Sequence, residues 1–184
     1  MSDIQDSADS RMEKSITSLH NEFNTIRTGR ASAAIFDKVR VNYYGAPTPL
    51  NQVSTISIPE ARSVLIQPFD KNIIPEIQKG IQFANLGLNP SNDGKVIRIA
   101  IPALTADRRK ELVKQAKNIA EQTRVSIRNI RRDVNEELKK LQKDGDITED
   151  QLKVLEENTQ KSTDAFISQI NKILDAKEKD ILEG

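Results

Sequence analysis

Six basic side chains mark out the chemistry this chain can do. Lys110, Lys114, Lys117, Arg124, Arg128 and Arg131 follow one another at steps of 4, 3, 7, 4 and 3 residues. On a helix that spacing lines them up in one stripe. Arginine presents a planar fork that grips a phosphate with two parallel hydrogen bonds, which lysine cannot do. Three arginines in one row, with Arg109 and Arg132 next to it in sequence, therefore point to a polyanion. Nucleic acid is the natural one, and a long convex helix suits the phosphates of structured RNA better than a base-reading groove.

Other chemistry is thin. The chain has no Cys and a single His. That removes disulfide scaffolds, thiol nucleophiles and Cys-ligated metals, and argues against a Ser-His-Asp triad. His20 sits off the apolar face of its segment and reads as a solvent-facing residue. Gly94-Lys95 resembles the end of a phosphate-binding loop, but Asn89 stands where the first glycine belongs and Val96 replaces the hydroxyl residue. Asp144-Gly145-Asp146 resembles the middle of a calcium loop, but Lys140, Gln142 and Gln151 fall on ligand positions. The expectation is no catalytic site, no metal site and no cofactor.

The total charge hides the basic row. Lys and Arg number 28 and Asp and Glu 27 over 184 residues, a formal net charge of +1. Residues 105–143 carry 12 basic against 6 acidic groups, and residues 144–184 carry 5 against 11. The charge is therefore +6 on one segment and −6 on the next.

These segments must be positioned by long helices. Ile4, Ala8, Met12, Ile16, Leu19, Phe23 and Ile26 recur at steps of three and four, as one helical face requires. Leu112, Ala116, Ile119, Thr123, Ile127, Ile130, Val134, Leu138 and Leu141 do the same. They predict one helix from Thr105 to Lys143, with Thr123 its soft position. Lys143-Asp144-Gly145-Asp146 reads as a turn, and Thr148 with Gln151 as a capping box that opens a third helix. Its inner face reads as Leu152, Leu155, Thr159, Ser162, Phe166, Ile170, Ile173 and Ile181. Three such helices should bundle. The basic row runs two residues behind the apolar row, about 200° around the helix. It is therefore expected on the exposed back, out of reach of neighbouring helices and interrupted only by Glu121.

All seven prolines and five of the seven aromatics lie in an insert between the first and second helices. The boundaries fall near Arg30 and Leu104, giving residues 1–30 with 105–184 as a three-helix bundle and 31–104 as an inserted α+β domain. Lys38–Tyr44, Gln52–Ile58, Ser63–Gln67 and Lys95–Ile101 are predicted strands, Ile73–Ala84 a short helix, and Asn85–Gly94 a loop. Two links join the parts: Arg27-Thr28-Gly29-Arg30 and Pro102-Ala103-Leu104-Thr105. They are expected to act as a hinge with a variable interdomain angle. The longest strictly apolar run is Ala33 to Phe36 and the N-terminus is polar, so no membrane span is expected, and the place of work is expected to be the cytoplasm.

Arg27-Thr28-Gly29-Arg30-Ala31-Ser32, Tyr43-Tyr44-Gly45-Ala46-Pro47-Thr48-Pro49-Leu50, Leu86-Gly87-Leu88-Asn89-Pro90 and Arg128-Asn129-Ile130-Arg131-Arg132-Asp133 together resemble the ribosome recycling factor family. So does Ile101-Pro102-Ala103-Leu104-Thr105 followed by Arg108-Arg109-Lys110-Glu111-Leu112. The likeness runs along essentially the whole chain, with Ala103 departing where the family often has a second proline. It implies an L-shaped, monomeric α+β protein: a three-helix bundle with an inserted β/α/β domain. It further implies a factor without catalytic activity that binds the post-termination ribosome on the large subunit. With elongation factor G and GTP such a factor splits the subunits and frees mRNA and deacylated tRNA. By motif match, Arg128 and Arg131 would contact large-subunit ribosomal RNA, and Arg27, Arg30 and Arg109 would lie near RNA or the translocase. The residues alone leave two rivals: a helical interaction module that self-associates through its basic and acidic helices, and a carboxylate enzyme.

Overall fold

The computed structural model describes residues 2–184 and divides the chain into two compact units. One holds the chain up to Arg27 together with Ala106–Glu183; the other is Thr28–Thr105.

The first unit is three helices: α1 (Ser2–Asn24), α4 (Ala106–Asp144) and α5 (Glu149–Glu183). All three pack against one another. At ~1.5 Å per residue the 39-residue α4 is about 58 Å long. The first apolar row is buried from Ala8 onward: Ala8, Met12, Ile16, Leu19 and Phe23 of α1 and Ile26 just beyond it are in the core, while Ile4 is half-buried. Leu112, Ala116, Ala120, Thr123, Ile127, Ile130, Val134 and Leu138 form the α4 seam. Ala120 takes the place expected of Ile119, which is half-buried. Thr123 tolerates burial because its hydroxyl donates to the Ile119 carbonyl at 3.1 Å. In α5 the buried residues are Thr159, Thr163, Ile170, Leu174 and Ile181. Thr163 and Leu174 are core positions that the periodicity reading passed over in favour of Ser162 and Ile173, both half-buried. The Thr159 and Thr163 hydroxyls are satisfied by the carbonyls one turn back, at 2.9 and 2.8 Å.

The capping box at the start of α5 is formed in both directions. Gln151 N–H donates to Thr148 Oγ1 at 3.2 Å, and Thr148 N–H donates to Gln151 Oε1 at 2.8 Å. Such a cap stabilises a helix by about 1 kcal/mol. The turn before it needs Gly145, whose φ of 82° suits a residue without a Cβ.

The second unit has strands β1 (Arg40–Tyr43), β2 (Ala46–Pro49), β3 (Ser54–Glu60), β4 (Ser63–Pro68), β5 (Pro90–Asn92) and β6 (Ile97–Ala100). β1 and β2 form a hairpin, and the rest an antiparallel sheet in the order β3-β4-β6-β5. A one-turn helix α2 (Leu50–Val53) and helix α3 (Ile74–Phe83) complete it. Pro75 sits in the first turn of α3, where a missing N–H costs nothing. Val64 and Ile66 of β4 face inward beside Ile99 and Ile97 of β6. With Val41, Ile77, Ile81, Leu50 and Phe36 they make one core.

Three expectations are corrected here. Tyr44-Gly45-Ala46-Pro47 is a turn candidate by sequence, but only Tyr44 and Gly45 turn: Ala46–Pro49 pairs as β2, with Pro47 and Pro49 opposite Asn42 and Arg40. The hairpin has a partner on one side only, so prolines without N–H donors do not break a ladder. Pro90–Asn92, expected inside a loop, is edge strand β5 for the same reason. Gln52 and Val53, expected to begin a strand, close α2 instead.

The hairpin tip is clipped to the start of α3. Tyr44 and Gly45 both have positive φ, 48° and 90°, as a tight two-residue hairpin loop requires. The Tyr44 hydroxyl donates to Asp70 Oδ2 at 2.7 Å, and Asn72 N–H donates to Asp70 Oδ1 at 2.9 Å. The Tyr44 hydrogen bond, then that of Asn72, holds the Asp70 carboxyl below its ordinary range. The same bond, then the Asp70 charge, pushes the Tyr44 phenol up. A lowered carboxyl pKa stabilises the fold above the ordinary carboxylate value of ~3.9, and that stability is lost as pH falls through the folded value. A raised phenol stabilises below ~10 and loses its contribution as pH rises through the folded value. The stability difference between the wild type and Tyr44→Phe is therefore expected to be present near neutrality and to shrink at both ends. Urea titrations across pH check this; a difference independent of pH contradicts it.

Candidate nucleic-acid interface

The basic row of α4 starts on the open surface and ends against α5. Lys110 and Lys114 are exposed and carry no ion pair among the described residues. Lys117 Nζ lies 3.6 Å from Glu178 Oε1 of α5. Arg124 is turned toward α5, its side chain only 18% exposed. Its Nε and Nη2 donate to Asn171 Oδ1 at 3.0 and 2.8 Å, and its Nη1 donates to Glu121 Oε2 at 2.9 Å. Arg128 Nη1 donates to the other oxygen of the same carboxylate, Glu121 Oε1, at 3.2 Å. Arg131 Nη1 donates to Gln160 Oε1 of α5 at 3.1 Å, and Gln160 in turn donates to Asp164 at 2.8 Å. Arg132 is exposed and without an ion pair among the described residues.

This corrects the expectation that the row runs along the back of the bundle out of reach of other helices. The physical reason is the repeat length. The row spans three heptads, a repeat of 3.5 residues per turn, and such a repeat drifts ~20° per heptad on a 3.6-residue helix. Over its three heptads the row slides from the outer surface onto the shoulder that α4 shares with α5. The result is a basic edge whose arginines are oriented by polar partners, with Arg128, Arg131 and Arg132 toward one end and Lys110 and Lys114 toward the other.

Glu121 is no interruption of the row. It receives one arginine on each oxygen, and those two hydrogen bonds hold its pKa down. Its position three residues before Arg124 was a readable hint. Asn171 and Gln160 had no such signal, because nothing local to the sequence fixes how α5 is aligned along α4.

Arg109 has a different task. Half-buried, it donates to the carbonyl oxygen of Leu182 in the last turn of α5, where helix carbonyls lack partners. At the same end Lys177 donates to the Ile26 carbonyl at 3.3 Å, and burial pulls its pKa down.

The links expected as a hinge begin and end the sheet unit. Ala31 N–H donates to the Ala61 carbonyl at 2.7 Å and Ile101 N–H to the Arg62 carbonyl at 2.8 Å. Both chain ends are thus tied to the same β3–β4 turn, through adjacent residues. Gly29 takes φ 77°, and a Cβ there would stand 3.2 Å from Leu104 Cγ. Gly29 and Leu104, one from each link, therefore touch. Among the described residues no group of His, Asp or Glu is placed to hold a metal ion. No helix is long and apolar enough to cross a membrane.

Three packed helices with a basic edge where α4 meets α5, interrupted in sequence by a small sheet unit, are the architecture this chain presents. The family model for ribosome recycling factor matches residues 19–182. The chain is 61% identical over 182 residues to the ribosome-recycling factor of Treponema denticola, covering 99% of this chain and 98% of that one. It is 52% identical over 181 residues to that of Clostridioides difficile, covering 98% of each. A solution structure of the ribosome recycling factor superposes with a TM-score of 0.76 at 41% identity, covering 100% of this chain and 97% of the other. The T. thermophilus ribosome recycling factor, described with E. coli elongation factor G bound to the E. coli post-termination complex, matches with a TM-score of 0.64 at 42% identity, over 98% of each chain. The chain belongs to the ribosome recycling factor family, a family of translation factors without enzymatic activity.

Proposed function

We propose that this protein binds the post-termination ribosome and, with elongation factor G and GTP, splits the subunits and releases them from mRNA and deacylated tRNA. The observation that carries this reading is full-length likeness to a factor described on that complex together with elongation factor G. The protein works as a monomer in the cytoplasm and needs no cofactor of its own.

In this reading the α4 edge is the anchor. Arg128, Arg131 and Arg132, with Lys110 and Lys114, meet phosphates of large-subunit ribosomal RNA. The −6 on residues 144–184 keeps that attraction to one side of the bundle. The links 27–30 and 102–105 act as a hinge, so that force applied by the translocase moves one unit while the other stays anchored.

The test is sedimentation of model post-termination complexes through a sucrose gradient. Separate subunits are expected only when this protein, elongation factor G and GTP are all present. Complexes that stay whole with all three would overturn the proposal.

A further inference from the structure

Arg124 differs from its neighbours in the row. All three of its guanidinium nitrogens are bonded within the protein, to Asn171 and Glu121. Its side chain is mostly covered. Arg128 is the reverse. Only its Nη1 is bonded, to Glu121, and its Nε and Nη2 have no partner among the described residues. That leaves an open edge of the fork of the kind that receives a phosphate in bidentate fashion. Arg131 also uses one nitrogen only. The two oxygens of Glu121 connect the closed arginine to the open one. The chain of contacts runs Asn171, Arg124, Glu121, Arg128, from a neutral side chain on α5 to an outward guanidinium on α4.

We infer that Arg124 is not a phosphate ligand but a positioning residue, which with Asn171 and Glu121 sets the direction of Arg128. This rests on the reading of the α4 edge as an RNA anchor and divides its arginines by task. An arginine held in place loses less conformational freedom when it binds. The gain is selectivity. Phosphates of a folded RNA are fixed in space and reward a fixed guanidinium, whereas a flexible polyanion adapts to a loose one.

Asn171→Ala isolates the effect, because it removes no charge and Asn171 is exposed. Binding of the full-length variant to purified large ribosomal subunits and to heparin is measured across salt. Subunit affinity is expected to fall roughly two- to ten-fold, the scale of re-ordering one long side chain. The salt slope and heparin affinity are expected to stay at wild-type values. Arg124→Lys, which keeps the charge and loses the fork, is expected to behave the same way. Arg128→Ala is expected to weaken both partners and to lower the salt slope by about 0.7–0.9, one phosphate contact. Wild-type subunit affinity in Asn171→Ala overturns the positioning role. So does an Arg124→Ala slope that falls by the same step as Arg128→Ala. If Arg128→Ala and Arg131→Ala both leave subunit affinity unchanged, the RNA-anchor reading itself fails, and the positioning role with it.

Discussion

Gly80→Val is expected to destabilise the sheet unit by about 3 kcal/mol or more, at the upper end of overpacking effects. Gly80 is buried in α3 where that helix lies on β1. A Cβ at this position would stand 2.6 Å from the Arg40 carbonyl oxygen and 3.3 Å from its carbon. The obstacle is backbone, so no rotamer change relieves it; α3 must move off the strand. Two further methyl groups deepen the clash, and Ile77 and Ile81 then lose their fit against Val41. Gly80→Ala separates two effects of opposite sign. Helix propensity alone would stabilise by ~1 kcal/mol, while the close approach destabilises by about 1–3 kcal/mol. Net destabilisation is expected. Urea unfolding followed by tyrosine fluorescence reads this unit selectively, because the chain has no Trp and its two tyrosines, Tyr43 and Tyr44, both lie there. A Gly80→Ala variant more stable than the wild type would show that α3 packs less closely than 2.6 Å implies.

Much of the bundle was readable because its determinants are local or periodic. Met12, Leu19, Ile127 and Leu138 announce themselves by spacing, and Thr148 with Gln151 by residue type. The buried hydroxyls of Thr159 and Thr163 show where that reading weakens. A threonine that bonds one turn back can occupy a core position, so the apolar row of α5 has gaps that the eye fills with Ser162 and Ile173. In the sheet unit, Pro47, Pro49 and Pro90 mask the strands they sit in, because proline lacks the N–H whose hydrogen bond a ladder uses. Whether that bond was needed depends on which side of the strand has a neighbour, which is a tertiary fact. The basic row was readable as residues but not as a place. A tenth of a residue per turn, 3.5 against 3.6, accumulates over three heptads and brings Arg124 and Arg131 to α5. The family motifs around Arg27–Ser32 and Arg128–Asp133 carried the functional reading, and composition could not have.

The second large effect concerns the anchor. The double variant Arg128→Glu, Arg131→Glu is expected to bind large ribosomal subunits at least ~100-fold more weakly than the wild type. Each arginine–phosphate contact is a charge-assisted hydrogen bond worth about 1.5–3 kcal/mol, and two are lost. Reversed charge adds repulsion from the phosphates. The bundle should stay folded, since both side chains lie outside its core and neither contributes to the seam from Leu112 to Leu138. Arg131→Glu alone is expected to weaken binding about ten-fold, the size of one such contact. Pelleting with subunits at fixed salt gives the affinities, and far-ultraviolet circular dichroism confirms the helices. Near-wild-type binding by the double variant would remove Arg128 and Arg131 from the interface.

The central claim is that the α4 edge, and not the acidic α5 surface, lies against ribosomal RNA. Its most direct test is cleavage from a tethered probe. Asn129 and Glu157 are both exposed, the first on α4 among the arginines and the second on α5. The chain has no Cys, so a single Cys at either position carries an iron chelate that generates hydroxyl radicals. On post-termination ribosomes, the probe at 129 is expected to cut large-subunit RNA strongly and at few sites, and the probe at 157 weakly. Strong cutting from 157 with none from 129 would contradict the account.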